Sequence, residues 1–311
     1  MEERTHIKNN KDYNGGLSSM NSHLLLGLIL FFHAVLIPST YFSIIKSHPS
    51  QQQVKEQDFL WKSPSLPVID TEEFTKVMDE LDNEVYIAPK DAIVNQYGSI
   101  VPEQVGYRLH LEKFIRQMYA HYFNDTSSKQ ELPLQVIYPK VDSELLDSIR
   151  RKKIGRYITS FNSNNKERSM NISLATEAIN NSVIFPNEKF SFNQIVGKRT
   201  VEKGYLQAPV IINGKFSEDI GGGICQVSST LFNAVDNAGL KIIQRYSHSR
   251  SIPYVPPKRD ATVSWDGPDF VFENNYERPI LIRAKMLGNH LLIELFSAET
   301  ISYQPRNVPY L

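Results

Sequence analysis

Apolar residues recur along this chain at two periods, and each change of period marks a change of predicted element. Val227, Leu231, Val235 and Ala238 fall three to four apart, as one face of a helix requires, and Gly239 stands where that helix would stop. Thr71, Glu72 and Glu73 open a second helix whose buried face is Phe74, Val77, Met78 and Leu81. Residues 111–123 give another, rich in aromatics (Phe114, Tyr119, Tyr122, Phe123), and residues 171–183 give one more. Strands are expected where the alternation shortens to two. These are a hairpin from 92–95 and 98–101 around Gln96-Tyr97-Gly98, residues 135–138 before Pro139, 154–161, 188–193, 240–246, 261–265 and 269–273. Residues 280–286 and 290–296 form a hairpin joined at Gly288-Asn289. The fold class is α+β: a small α+β module, then a β-rich domain whose mixed sheet folds round a glycine-rich turn carrying a cysteine-bearing helix.

One stretch belongs to neither pattern. Residues 24–45, LLLGLILFFHAVLIPSTYFSII, hold no Asp, Glu, Lys or Arg, which is long and apolar enough for a membrane-spanning helix despite His33 and Pro38. No small-x-small cleavage site clearly follows, so an uncleaved single-pass anchor is expected rather than a signal peptide. Arg4, Lys8 and Lys11 before the span favour a cytoplasmic tail at 1–23 and an exported body facing the cell wall. Residues 46–57 read as a polar tether, 58–150 as the α+β module, 151–300 as the β-rich domain and 301–311 as a tail. The zero net charge hides a polarity. Residues 56–150 carry 9 Lys and Arg against 17 Asp and Glu, whereas 151–311 carry 20 against 14. A basic exported domain suits an anionic envelope, while the absence of clustered basic residues with interleaved aromatics speaks against nucleic acid.

The only cysteine, Cys225, lies in Asp219-Ile-Gly221-Gly222-Gly223-Ile-Cys225-Gln226-Val-Ser228-Ser229-Thr230. The three glycines permit close approach of a substrate to the main chain, and the helix start favours a thiolate. The plain alternative is a small buried core side chain. A cysteine nucleophile needs a base, and His248 in the polar turn Arg245-Tyr-Ser-His-Ser-Arg250 is the better candidate, because the strand after the cysteine helix returns toward its start. His290 opens a strand at a tight turn and is the weaker one; His110 and His121 read as surface or core residues. Asp260 can orient the histidine, Gln226, Ser228 and Ser229 can support substrate, and Arg250 and Arg259 offer forked cations for a carboxylate. One cysteine and scattered histidines lack metal-ligand spacing, and no cofactor is expected. A cytoplasmic redox role lacks a resolving cysteine.

These residues resemble the VanW family over roughly residues 154–298. The matching strings are Asn171-Ile172, Phe190-Ser-Phe-Asn193, Val196-Gly197, Gly204-Tyr205, Gly221 through Leu231, His248-Ser249, Tyr254-Val-Pro-Pro257, Asp260-Ala-Thr-Val263 and Asp269-Phe-Val-Phe-Glu-Asn274. Asn187 and Lys258 stand where the family tends to have glycine. The region with Gly98-Ser-Ile100 and Val105-Gly-Tyr-Arg-Leu109 is similar to the peptidoglycan-binding module found before such domains. What the resemblance implies is an L,D-transpeptidase acting on peptidoglycan stem peptides through Cys225. The same site with water as acceptor would be an L,D-carboxypeptidase, and a protein of another class would bind the wall without catalysis. Acceptor and oligomeric state are not legible in the sequence.

Overall fold

The computed structural model describes residues 60–61, 68–69, 71–124, 131–212 and 215–311, so the expected tail, anchor and tether lie outside the described residues. Among the described residues no helix is long and apolar enough to cross a membrane. The described residues fall into two compact units, those within 1–74 and 112–133, and those within 75–111 and 134–311. The first holds the antiparallel pair β1 (Leu60–Trp61) and β2 (Val68–Ile69). Helix α1 (Thr71–Val85) begins in the first unit and lies mostly in the second, whereas α2 (Leu111–Asn124) lies almost wholly in the first.

The second unit carries the remaining elements: β3 (Ile93–Val94), β4 (Ile100–Val101), β5 (Gly106–Leu109), β6 (Leu134–Ile137), α3 (Ser143–Ile149), β7 (Lys152–Ser160), α4 (Lys166–Ile179), β8 (Val183–Ile184), β9 (Lys189–Ser191), α5 (Phe192–Val196), β10 (Gln207–Ile212), β11 (Lys215–Ile220), α6 (Ile224–Asn237), β12 (Lys241–Gln244), β13 (Val271–Glu273), β14 (Ile280–Leu287) and β15 (His290–Ser297). Its main sheet has the order β7-β15-β14-β8, and a second has the order β12-β13-β9. The sheet was expected to be mixed. Every strand pairing among the described residues is instead antiparallel. Short hairpins and returns over a helix build this unit, and they join neighbours without a parallel crossover.

Helix α6 lies across β7 and β15. The crossing is close because Gly155 has no side chain: a Cβ there would meet the Ala234 carbonyl oxygen at 2.5 Å and Ala238 Cβ at 2.8 Å. Val227, Leu231, Val235 and Ala238, the face read from their spacing, are fully buried in one core with Tyr157, Ile280, Ile282 and Ile293. A second cluster joins Ala92 and Val94 to Val141, Leu146, Ile149 and Leu281 of β14. Arg283 strengthens that junction by donating to the Val94 carbonyl at 2.6 Å and to Asn181 Oδ1 at 2.7 Å. Residues 75–111 and 134–149, assigned from sequence to the preceding module, thus share a compact unit with the later domain.

Three sequence readings change in the structure. The helix expected at 171–183 is α4, which starts earlier because Asn165 Oδ1 accepts from the Arg168 N–H at 2.9 Å and caps it. It buries Asn171 and Thr176 beside Ile172, Ala175 and Ile179, and these inward polar residues obscure its apolar face. Residues 261–265 form no strand. Their backbone groups are taken by side chains of α6 instead: Ala261 N–H donates to Ser229 Oγ at 2.9 Å, and Ser228 Oγ donates to the Ala261 carbonyl at 2.5 Å. Of the strand expected at 188–193 only β9 remains, because Ser191 Oγ accepts from the Gln194 N–H and caps α5. The hairpin β10–β11 and helix α3 were not read at all, although Asn213-Gly214 and the N-cap type residue Asp142 are their signals. Asn187 and Lys258, the two departures from family glycines, hold positive φ angles of 64° and 66°. Each side chain is carried in a conformation that glycine adopts without cost.

Candidate functional site

Between β11 and α6 the chain turns through the three glycines. Gly221 and Gly223 have φ of 89° and 108°. Gly222 has no such need of backbone freedom, but a Cβ on it would collide with the Ala208 carbonyl group and approach the Pro209 oxygen to 2.8 Å. Asn171 holds the turn from below. Its Nδ2 donates to the Leu206 and Gly222 carbonyls at 2.9 and 3.0 Å, and its Oδ1 accepts from the Leu206 N–H at 2.8 Å. All of its bonding capacity toward the turn is used, with the side chain wholly buried. Asn171→Ala is therefore expected to lower stability by about 2 kcal/mol, since it orphans buried backbone groups rather than merely deleting bonds. Chemical denaturation measures this, and an unchanged midpoint would show the clamp to be dispensable.

Helix α6 begins at Ile224, so Cys225 occupies its first turn, where the helix dipole favours negative charge. The sulfur is partly buried. It accepts from the Val263 N–H at 3.5 Å and lies 3.7 Å from Thr262 Oγ1. Burial pushes the thiol pKa up, but hydrogen bonding and charge from His248, with smaller help from Val263 and Thr262, hold it below the ordinary value. His248 reaches the thiol because β12 runs back from the end of α6 and the following turn places the imidazole there. Its Nδ1 lies 2.7 Å from Asp260 Oδ2, which also accepts from the His248 N–H at 2.5 Å. That leaves Nε2 as the ring nitrogen available to sulfur. The His248 and Asp260 side chains are only 7% and 8% exposed. Burial opposes protonation of His248, yet Asp260 and Cys225 together raise its pKa to about 9. Asp260 itself is held below its usual range, its burial outweighed by His248.

These groups open on a cleft of about 1370 Å³. Cys225, Gln226, His248, Gly221 and Gly223 line it, whereas Gly222, Ser228, Ser229, Arg250, Arg259 and Asp260 do not. Gln226 is committed to the framework, donating to Thr159 Oγ1 and the Ser160 carbonyl, both at 2.9 Å, and accepting from Arg168 at 2.8 Å. Ser228 and Ser229 are wholly buried and tie α6 to Ala261. Arg259 lies near the far end of α6, paired with Asp236 at 2.7 Å and stacked over Phe232. Arg250 is exposed outside the cleft, and His290 opens β15 opposite Ser160 without lining it. Among the cleft-wall side chains that sequence reasoning did not assign to the site are Arg168, Arg199, Tyr254 and Thr262. Tyr254 and Thr262 lay within the quoted family strings, but nothing local marks either arginine. Among the described residues no group of three or more His, Cys, Asp and Glu is placed to hold a metal ion.

The comparisons with known proteins bear on the same region. Residues 167–296 match the family described as VanW like protein. Over 256 residues, 82% of this chain and 84% of the relative, the sequence is 56% identical to the uncharacterized protein YoaR of Bacillus subtilis (strain 168). It is 35% identical to the vancomycin B-type resistance protein VanW of Enterococcus faecalis (strain ATCC 700802 / V583) over 83 residues, 27% of this chain and 30% of that protein. No solved structure matches the chain. The family match spans the glycine turn, Cys225, His248 and Asp260, and with a relative so similar over most of both chains, this protein belongs to the VanW family.

Proposed function

We propose that this protein is a cysteine-dependent acyltransferase of the L,D-transpeptidase kind, acting on peptidoglycan stem peptides. The observation that carries the reading is the Cys225, His248 and Asp260 arrangement at the edge of a large cleft, with the thiol pKa lowered and the imidazole pKa raised. Opposed shifts of this kind favour a thiolate beside an imidazolium, the resting form of an activated cysteine nucleophile. The name of the Enterococcus relative, a vancomycin resistance protein, supports a cell-wall setting.

In this reading the Cys225 thiolate attacks the carbonyl between the third and fourth residues of a donor stem. The carbon–nitrogen bond breaks, the fourth residue departs as an amine, and the His248 imidazolium supplies the proton it needs. Asp260 is a positioning residue, holding the ring through Nδ1. The thioester is then taken by the side-chain amine of a diamino acid on a neighbouring stem, which loses its proton to His248 and restores the thiolate. The product is a 3-3 cross-link. With water as acceptor the same site releases a tripeptide, the L,D-carboxypeptidase outcome; with no chemistry at all, the cleft is a wall-binding surface. The setting that fits the substrate is a chain anchored through residues 24–45, with its bulk outside the membrane and residues 58–150 helping to hold peptidoglycan.

The test is mass analysis of products after the full chain, purified in detergent, is incubated with tetrapeptide stems. Cross-linked dimers indicate transfer and tripeptides indicate hydrolysis. Cys225→Ala is expected to abolish both, together with any thioester adduct. Unaltered stems, or products that survive Cys225→Ala, would sink the reading.

A further inference from the structure

The glycine turn is flanked by two arginines. Arg168 of α4 lies against Gly223, where a Cβ would come within 2.8 Å of its Cγ. Arg199, three residues beyond α5, lies against Gly221, where a Cβ would meet its Cβ and Cγ at 3.3 Å. Both line the cleft together with Cys225. Arg168 spends one N–H on Gln226 Oε1 at 2.8 Å, and Arg199 spends one on Asn193 Oδ1, also at 2.8 Å. Neither guanidinium has an ion pair among the described residues. The carboxylate of Asp269, which acts on Arg199 from a distance, is occupied by Ser191 Oγ and by the N–H groups of Asn193 and Phe270. Arg199 Nη1 is buried with no hydrogen-bond partner, the one such side-chain atom among the described residues.

The Cys225 sulfur acts on both cations, but neither has a paired carboxylate, and half-buried cations left so, with an unpaired buried donor besides, are costly in a folded protein. Other arginines of this unit are met by acceptors: Arg259 and Arg306 share Asp236 at 2.7 and 2.8 Å, and half-buried Arg283 donates to the Val94 and Asn95 carbonyls and to Asn181 Oδ1. A planar fork of N–H donors matches a carboxylate in bidentate fashion, whereas a lone ammonium does not. We infer that Arg168 and Arg199 form a carboxylate subsite beside Cys225, taking a free carboxylate of the donor peptide. The inference rests on the acyl-transfer reading for its choice of ligand. Its consequence is specificity: a peptide anchored by that carboxylate presents one bond to the sulfur, so internal bonds of ordinary polypeptides are not cut. A stem with diaminopimelate offers three such groups, the terminal α-carboxylate of the fourth residue, the α-carboxylate of a γ-linked D-glutamate and the side-chain carboxylate of the diaminopimelate.

The test uses the full chain carrying Cys225→Ala, so that binding is read without turnover. Calorimetry compares the tetrapeptide L-alanyl-γ-D-glutamyl-diaminopimelyl-D-alanine with three analogues, amidated at the terminus, at the D-glutamate or at the side-chain carboxylate of the diaminopimelate. One amidation is expected to weaken binding about tenfold or more, and which one does so identifies the carboxylate. Adding Arg199→Gln should bring the acid down to the affinity of that amide, with Arg199→Lys restoring it only in part and thermal melting confirming that both variants fold. Equal affinity for all four peptides, undetectable binding of the acid, or an undiminished affinity in Arg199→Gln overturns the subsite. Mass analysis of the wild-type chain separates the two readings. An acyl-enzyme without acid-over-amide preference removes the subsite alone, whereas that preference without an acyl-enzyme removes the transfer reaction and leaves the subsite standing.

Discussion

Replacing His248 with alanine is expected to slow alkylation of Cys225 about thirtyfold at pH 7 and to restore an ordinary thiol pH dependence. A free thiol with pKa near ~8.5 loses roughly tenfold in thiolate for each pH unit below that value. In the wild type the thiol pKa is lowered and the imidazole pKa is raised to about 9, so thiolate and imidazolium coexist between the lowered thiol value and about 9. Labelling by a small electrophile should therefore stay nearly level as pH falls from 8.5 toward 7. The stability linkage has a definite sign. Because the folded-state pKa of His248 is above its unfolded value of ~6.5, its contribution is complete below that value and is lost as pH rises through about 9. Asp260, with its pKa lowered, contributes above its unfolded value and loses that contribution as pH falls through the folded one. Cys225, with its pKa lowered, gains over the same interval what His248 loses, so melting temperature should stay nearly level between pH 7 and pH 8.5 in the wild type and fall only above that range. A wild-type labelling rate that falls tenfold per unit below pH 8.5, or a thiol labelled only after denaturation, would make Cys225 a plain core residue.

Gly222→Ala should be the most damaging single methyl in the site. The added carbon runs into the Ala208 carbonyl and approaches the Pro209 oxygen to 2.8 Å, and both are backbone groups of β10 that cannot swing aside. Relief requires the turn or the β10–β11 hairpin to move, which costs about 3 kcal/mol by the measure of overpacked interiors. Because α6 begins at Ile224, just after that contact, and Cys225 is its second residue, displacement of the turn also moves sulfur away from His248. Denaturant midpoint and labelling rate should fall together. A folded Gly222→Ala variant with wild-type labelling would show that the turn does not set the position of the thiol.

The framework around the site was largely legible in the sequence. The spacing of Val227, Leu231, Val235 and Ala238, with Gly239 after them, gives helix α6 and its buried face, because helical periodicity and a positive-φ stop are local properties. The β14–β15 hairpin at Gly288-Asn289 is local in the same sense. Sequence also singles out Cys225, and the return of the chain through β12 is enough to favour His248 over His290. It misjudges residues 261–265, whose alternation suggests a strand, because hydroxyls of α6 rather than another strand satisfy that backbone.

What only the tertiary structure decided is the division of labour among polar side chains. Gln226, Ser228, Ser229 and Arg259 have the right chemistry for binding substrate, yet packing spends them on the framework. Arg168 and Arg199 have no local signature, yet the packing of α4 and the chain after α5 against the glycine turn sets them on the cleft wall with the sulfur and with no paired carboxylate among the described residues. The sequence by itself determined the cysteine-bearing helix, the β14–β15 hairpin and the place of the thiol in the first helical turn, since those follow from neighbours a few positions away. Whether a polar group faces a cleft or a partner depends on contacts between residues 30 to 90 positions apart, such as Arg168 with Gln226 and Asn171 with Gly222, and these exist only once the chain has folded.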